Sequence, residues 1–349
     1  MPSEPTFSVA LPAEGSLEEL VAIAREAERL GYRTVWVNDD RLQKDVFTVL
    51  AAVGLATDRI GLGPGVTNPY SRHPALIATA IATLDELSDG RAVLGLGAGG
   101  TNHRMLGIAR EAPAAALREA IDLIRRLLAG GEVTLTGRVV RAQEAKLDFK
   151  PLRADVPIAI GARGPRMLEL AGEVADQVIV GNVATGEGWS YALERVDAGA
   201  ERAGRRLGDL RLTAWLYCCV TDAVQRARDA VRPMVATSLV TSRPVLHELG
   251  IVMPKEFAEA MDGMAWSLSR EAVTRAAPAV PDEVVGRFAL AGTPRECRAR
   301  LAELLESSPQ IAEVAIVPFP AVGERRVDVV RRFVEEVASE LVLRRAATG

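Results

Sequence analysis

The sequence predicts a single-domain (β/α)8 barrel over residues 1–349, and three observations carry that expectation. Eight short apolar segments alternate with helical patterns. They are apolar throughout, as strands buried on both faces are. Three of these segments run out into Gly-rich turns: Gly61-Leu-Gly-Pro-Gly-Val-Thr-Asn-Pro-Tyr-Ser-Arg-His-Pro74, Val93-Leu-Gly-Leu-Gly-Ala-Gly-Gly-Thr101 and Ile158-Ala-Ile-Gly-Ala-Arg-Gly-Pro-Arg-Met167. Parallel α/β proteins bind ligands at that C-terminal strand edge. The first loop, Pro12-Ala-Glu-Gly15, lacks the dominant Gly-rich turn expected of a doubly wound sheet.

Phe7–Leu11 reads as the first strand. Ser16 and Glu19 have capping-box spacing before a helix that reaches Leu30 and stops at Gly31. Thr34–Val37 is the second strand, halted by Asn38-Asp-Asp40, with a helix from Asp45 to Ala56. Arg59–Leu62 opens the third strand, and Pro74–Leu87 follows as a helix closed by Asp89-Gly90. Ala92–Leu96 is the fourth strand, with a helix over Ala114–Leu128. Val133–Leu135, a turn at Gly137 and Val139-Val140 form a hairpin within residues 132–150, outside the main sheet. Val156–Ile160 and Gln177–Val180 are strands five and six, followed by helices over Pro165–Ala175 and Trp189–Ala203. Arg211–Tyr217 is the seventh strand. Residues 222–290 hold too much chain for one crossover and predict a helical insertion. Glu313–Val317 and a helix over Val327–Leu343 complete the count.

A net charge of −4 without long basic runs argues against a nucleic-acid partner. Cys218, Cys219 and Cys297 show no metal spacing and suit a reducing, cytoplasmic setting. No apolar run approaches membrane-spanning length, and the N-terminal residues lack a leader pattern.

The candidate site residues sit at the strand ends. Gly65, Val66, Thr67 and Asn68 carry more turn formers than one turn needs, and Gly97, Ala98 and Gly99 allow close backbone approach. Ala162, Arg163, Gly164, Pro165, Arg166 and Met167 open a helix whose free amides, dipole and two arginines favour an anionic group. Gly181 and Asn182 end strand six. Asn38, Asp39 and Asp40 end strand two; one carboxylate can line the site with a raised pKa while another caps the following segment. His73 and His103 are minor acid candidates, and His247 falls in the insertion. No histidine–carboxylate cluster supports a metal.

The order Trp36-Val-Asn-Asp-Asp40, Gly63-Pro-Gly-Val-Thr-Asn-Pro-Tyr70, Leu84-Asp-Glu-Leu-Ser-Asp-Gly-Arg91, Gly161-Ala-Arg-Gly-Pro-Arg-Met167 and Ala171-Gly-Glu-Val-Ala-Asp176, with Tyr217-Cys-Cys219, resembles the bacterial-luciferase-like superfamily. Within it, the chain resembles methylenetetrahydromethanopterin reductases and related F420-dependent oxidoreductases. The resemblance implies coenzyme F420, or alternatively FMN, held at the strand ends beside a small-molecule substrate. It also implies a non-proline cis peptide of the third strand, at Gly65–Val66, and a homodimer or higher homo-oligomer. Asp40, with Asp39, becomes the candidate for proton transfer. Two positions depart from the pattern: Ala10 stands where those reductases carry a glutamate, and Asp40 where many F420 enzymes carry a histidine. The expected function is hydride transfer between the deazaflavin C5 and a small organic substrate. The alternatives are an FMN-dependent monooxygenase, a barrel that only binds a flavin-like ligand, and an enzyme using a nicotinamide directly.

Overall fold

A computed structural model describes residues 4–40, 42–99 and 105–339. The elements run β1 (Thr6–Leu11), α1 (Leu17–Arg29), β2 (Thr34–Val37), α2 (Val46–Leu55), β3 (Gly61–Pro64), α3 (Pro74–Leu87), β4 (Leu94–Gly97) and α4 (Pro113–Leu128). Then come β5 (Val133–Thr136), β6 (Arg141–Ala145), β7 (Ile158–Ala162), α5 (Pro165–Val174), β8 (Gln177–Gly181), α6 (Gly186–Arg202) and β9 (Arg211–Val220). The insertion contributes α7 (Val224–Thr241), α8 (Lys255–Asp262), α9 (Arg270–Ala276) and α10 (Asp282–Phe288). It is followed by β10 (Ala289–Gly292), α11 (Pro294–Ser307), β11 (Ile311–Pro318) and α12 (Arg326–Arg332).

The strands are ordered β3-β2-β1-β11-β9-β8-β7-β4, with β10 pairing β9 as an addition. Parallel bridges Leu62↔Ala92 and Thr67↔Leu96 join the two ends of that order, giving the (β/α)8 barrel. The eight strands in this order are the eight that the apolar pattern predicts. The chain groups into two compact units, Phe7–Ile179 with Arg195–Arg211, and the chain up to Thr6 with Val180–Glu194 and everything from Leu212 on.

In the first unit, the segment Leu84–Arg91 fastens the chain just before β4, at the strand end opposite the Gly-rich turns. Asp85 is fully buried and takes Arg153 Nε at 2.9 Å and Nη2 at 2.6 Å, while its Oδ1 also accepts from the Ala92 amide at 3.2 Å. Arg91 donates to the carbonyls of Ser88, Ile60, Gly54 and Thr57 and to Thr57 Oγ1. Asp89 and Gly90 turn the chain with φ of 52° and 80°. Glu28 receives the amides of Asp58, Arg59 and Ile60 ahead of β3. Burial pushes that carboxyl up, but the three amides outweigh it and hold the pKa below the ordinary range.

The differences from the sequence expectation have local causes. Val140 belongs to the hairpin turn rather than to a strand. Glu119 draws in the amides of Arg138, Val139 and Val140, and Gly137 N closes the turn on Val140 O at 3.0 Å. Helix α6 begins at Gly186, ahead of the expected Trp189, because Thr185 Oγ1 accepts from Gly188 N and Trp189 N bonds the Thr185 carbonyl. Strand β10 is an unexpected addition. Ala-Leu-Ala-Gly has no β-branched residue to mark it, and its register with β9, Ala289↔Tyr217 to Gly292↔Val220, is set by burial. The cap of α2 comes from Asp45, which accepts Thr48 N at 2.9 Å, rather than from Asp39 or Asp40. After α12 the chain passes into a π turn at Phe333–Ala338.

Candidate functional site

The three Gly-rich strand ends meet in the first unit. β3 continues past Pro64, where Gly65 N bonds Val37 O at 2.7 Å, and the Gly65–Val66 bond is cis. Thr67 then joins the β4 ladder through Thr67 N to Gly95 O at 3.0 Å and Gly97 N to Thr67 O at 2.8 Å. This seats Val66 on the ends of β4 and β7. Gly97 and Gly161 are register partners across those strands. A Cβ at Gly97 would lie 2.5 Å from Val66 Cγ2, and one at Gly161 would lie 3.2 Å from Val66 Cγ1. Here the glycines make room for Val66. Gly63 and Gly95 serve packing instead: a Cβ at Gly63 would strike the Trp36 ring at 2.6 Å, and one at Gly95 would meet Pro64 O at 2.0 Å.

Thr67 is buried, and its hydroxyl donates to Asp39 Oδ2 at 2.6 Å, tying the end of β2 to the same ledge. Burial pushes the Asp39 carboxyl above its ordinary pKa, against the Thr67 hydrogen bond and the nearby Arg72 charge; Asp45 and Asp40 add to the upward shift. Arg72 pairs with Asp45 at 2.6 Å and stacks on Phe47, 5.2 Å from the ring centroid. Beside Asp39, the Asn38 amide nitrogen of the backbone bonds Leu11 O, while its side-chain Oδ1 is shielded from solvent and has no partner among the described residues.

Other candidates are drawn into scaffolding. The Asn68 Oδ1 accepts from Tyr70 N and Ser71 N, and its Nδ2 donates to Ser71 Oγ, so this side chain holds the turn. His73 caps α3 through Nδ1, which accepts Ala75 N at 3.2 Å. Nε2 therefore carries the proton and donates to Arg141 O at 2.9 Å. His247 is exposed, and His103 lies outside the described residues. All three cysteines are buried thiols raised by burial: Cys219 and Cys297 each to about 12, Cys218 well above the ordinary value. They remain protonated core fillers. Trp189 is fully buried, with Nε1 donating to Val183 O, whereas Trp266 is half-buried under the Arg243 guanidinium at 3.9 Å.

Ala98 and Gly99 continue from β4 half-buried, Gly99 with φ of 82°. Helix α5 opens with Gly164 as N-cap and Pro165 at its first turn, with no side chain capping it. Gly164 has φ −78° and ψ 153°, and nothing lies within 4 Å of a Cβ built there. Neither backbone geometry nor a close neighbour requires a glycine there, and the space beyond it is open. Arg166 is exposed and lines an outer cleft with Arg118, Glu169, Glu173 and Arg202, whereas Arg163 and Met167 are half-buried. Arg163 and Arg166 thus occupy different surroundings.

In the second unit, Gly181 and Asn182 end β8. Asn182 is left-handed, with φ of 55°, and its amide donates to Tyr217 Oη at 2.9 Å and Ser238 Oγ at 3.5 Å. Tyr217 and Ser238 are hydrogen-bonded at 3.0 Å, and the Tyr217 ring meets Phe319 edge-on at 5.7 Å. The sequence reading does not select Tyr217, Ser238 or Phe319 as site residues. Position near a strand's C-terminal end marks Tyr217 and Phe319, but nothing in a helical pattern marks Ser238.

The luciferase-like monooxygenase family model matches residues 4–310. The chain is 33% identical over 314 residues to the 5,10-methylenetetrahydromethanopterin reductase of Methanolobus tindarius, covering 86% of this chain and 91% of that one. It is 34% identical over 299 residues to the enzyme of the same name from Archaeoglobus fulgidus, covering 85% and 89%. Its fold is similar to that of the coenzyme F420-dependent tetrahydromethanopterin reductase from Methanopyrus kandleri, with a TM-score of 0.85, 28% identity and coverage of 97% and 99%. The chain belongs to the luciferase-like monooxygenase family.

Proposed function

We propose that the protein is an F420-dependent oxidoreductase that transfers a hydride between the cofactor and a small organic substrate. The observation that carries this reading is the ledge formed where Val66 lies across Gly97 and Gly161, so that three strand ends meet at one side chain. The residues fit a planar ring with an anionic tail. The ledge offers a flat support, Asn38 Oδ1 an unmatched shielded acceptor, and the uncapped start of α5 an open position for a phosphate. Bound F420 would supply a hydride at its deazaflavin C5. Val66 would buttress the ring, and Gly65, Thr67, Ala98 and Gly99 would bring backbone close to it. The α5 start, from Ala162 to Met167, would hold the tail.

Of the two candidate carboxylates, Asp39 and Asp40, the proposal places the acid–base role on Asp39. Asp39 is the carboxyl the fold shields, and Thr67 fixes its orientation. An ionised Asp39 weakens the fold. The folded protein holds this proton more tightly than the unfolded chain, so stability falls as pH rises from the ordinary value of 3.8 through the raised one. Asp39→Asn removes that cost. It is expected to keep or raise the melting temperature at pH 7, to lower turnover at least about tenfold, and to flatten the acidic limb of the kcat profile. Unchanged turnover with the acidic limb intact would place the proton elsewhere.

The anion position is tested by Gly164→Asp. The backbone there accepts any residue, and an aspartate is a better N-cap than glycine, so stability should hold or rise slightly. The same carboxylate would occupy the tail's place, and F420 affinity should fall at least about tenfold. Equal affinity in the variant would remove the α5 start from the site.

The substrate side is assigned to the insertion, where α7 meets the end of β8 through Ser238 and Asn182. Ala10 is buried and carries no carboxylate, where the resemblance implies a glutamate in the pterin reductases, and this favours a different hydride partner. The protein is read as a cytoplasmic homo-oligomer, on the free thiols and on Leu55 and Leu76, which are 78% and 60% exposed on α2 and α3. No helix among the described residues is long and apolar enough to cross a membrane.

A further inference from the structure

We propose that Arg72 and Asp45 are positioning residues for Asp39: an ion pair fixed to the turn that carries Thr67 sets how firmly Asp39 holds its proton. The catalytic meaning of that proton rests on the functional reading above. All of these residues lie in the first unit. Thr67 donates to Asp39 Oδ2 at 2.6 Å, and Arg72 follows on the same turn. Asn68 locks that turn, its Oδ1 accepting from Tyr70 N and Ser71 N and its Nδ2 donating to Ser71 Oγ. Arg72 ties the turn to the start of α2. Its Nη2 meets Asp45 Oδ2 at 2.6 Å, and its guanidinium lies 5.2 Å from the Phe47 ring centroid. Asp45 divides its oxygens: Oδ1 accepts from Thr48 N and Thr48 Oγ1, both at 2.9 Å, while Oδ2 holds Arg72.

The pair is not closed on itself. Arg72 Nε is shielded from solvent and has no partner among the described residues, so Asp45 does not take up the whole guanidinium. The side chains of Arg72 and Asp45 are 30% and 45% exposed, which leaves their fields only partly screened. Asp39 feels both. Burial pushes its carboxyl up, the Thr67 hydrogen bond and Arg72 pull it down, and Asp45 and Asp40 push it up again. Burial also pushes the Asp45 carboxyl up, but its Thr48 bonds and Arg72 outweigh that and hold it below the ordinary range. Asp45 is therefore a fixed charge while Asp39 titrates. Removing Arg72 leaves an unbalanced anion beside Asp39, and removing the Asp45 charge leaves an unbalanced cation. The two changes act on the Asp39 proton with opposite signs.

The test follows the Asp39 carboxyl of the full-length protein through a pH titration by infrared difference spectroscopy, its band assigned by loss in Asp39→Asn. Wild type is compared with Arg72→Gln, Arg72→Lys, Asp45→Asn and the Arg72→Gln/Asp45→Asn double variant, and each melting temperature is recorded. Asparagine is as good an N-cap as aspartate, so Asp45→Asn removes the charge and keeps the start of α2. Arg72→Gln should tighten proton binding at Asp39 at least about threefold, and Asp45→Asn should loosen it at least about threefold. Arg72→Lys keeps the cation and should stay near wild type, as should the double variant. A merely structural pair would lower the melting temperatures without splitting the two single variants in sign. Shifts in one direction for both, or no shift in either, overturn the proposal. If Arg72→Gln does not fold, Asp45→Asn decides alone: looser proton binding supports the pair, and unchanged or tighter binding overturns it. Full turnover in Asp39→Asn would defeat the acid–base reading, while the pair is still judged on the titration.

Discussion

Asp85→Asn should destabilise the protein by about 3–5 kcal/mol, the largest single effect expected outside the site. The carboxylate is 1% exposed, accepts two guanidinium bonds from Arg153 and also takes the Ala92 amide. Asparagine keeps the size but leaves a cation facing a neutral amide and one acceptor too few. Arg153 is 29% exposed, so water can partly solvate the stranded charge and bring the value toward the lower end of that range. The denaturation midpoint should fall with no change in slope. Asp89→Asn is the control: the residue is exposed and left-handed, asparagine accepts that backbone, and the change should stay within about 0.5 kcal/mol. If the two substitutions cost the same, the Leu84–Arg91 segment has been misread as a structural fastening.

Gly97→Ala carries the largest effect expected on the site. The new Cβ would lie 2.5 Å from Val66 Cγ2, and the other near atoms are at 3.6 Å or beyond, so the clash falls on one side chain. Val66 must move off the ledge. Overpacking of this kind costs about 1–3 kcal/mol, and F420 affinity should fall at least about tenfold with it. Adding Val66→Ala removes the opposing methyl groups. The double variant should recover most of the stability but not the affinity, because the ring would then lack its support. That split between stability and binding distinguishes a cofactor ledge from ordinary core. Recovery of both, or of neither, would argue against it.

The barrel was legible because strands buried on both faces leave unbroken apolar runs. All eight strands in the closed order announce themselves this way, and the exception, β10, is the short Ala-Leu-Ala-Gly segment that pairs with the C-terminal part of β9. Helix starts were legible where a Pro or Ser marks them, as at Pro74 and Ser16, and blurred at Gly186, where glycines occupy the first turn of α6. Within the site, sequence separates glycine clusters from ordinary turns but not the task of each glycine. Gly63 and Gly95 admit Trp36 and Pro64, whereas Gly97 and Gly161 admit Val66, and that assignment depends on which strand ends touch. The same limit hid the carboxylates' division of labour. Asp39, Asp40 and Asp45 are all plausible caps or acids by spacing, and only the Thr67 contact and the cap at Thr48 separate Asp39 from Asp45. Asn68 reads as a ligand contact in one dimension and as a turn lock in three. Of the Asn182–Tyr217–Ser238 group only Asn182 was picked out, because the hydrogen bonds that join it to Tyr217 and Ser238 link segments far apart in sequence.

F420 rather than FMN is the proposed cofactor of this chain. The most direct test is a paired equilibrium titration of the purified full-length protein with F420 and with FMN under one set of conditions. Saturable F420 binding with one ring per chain is expected, with FMN at least about tenfold weaker. FMN binding as tight as or tighter than F420, or no saturable binding of F420, would contradict it.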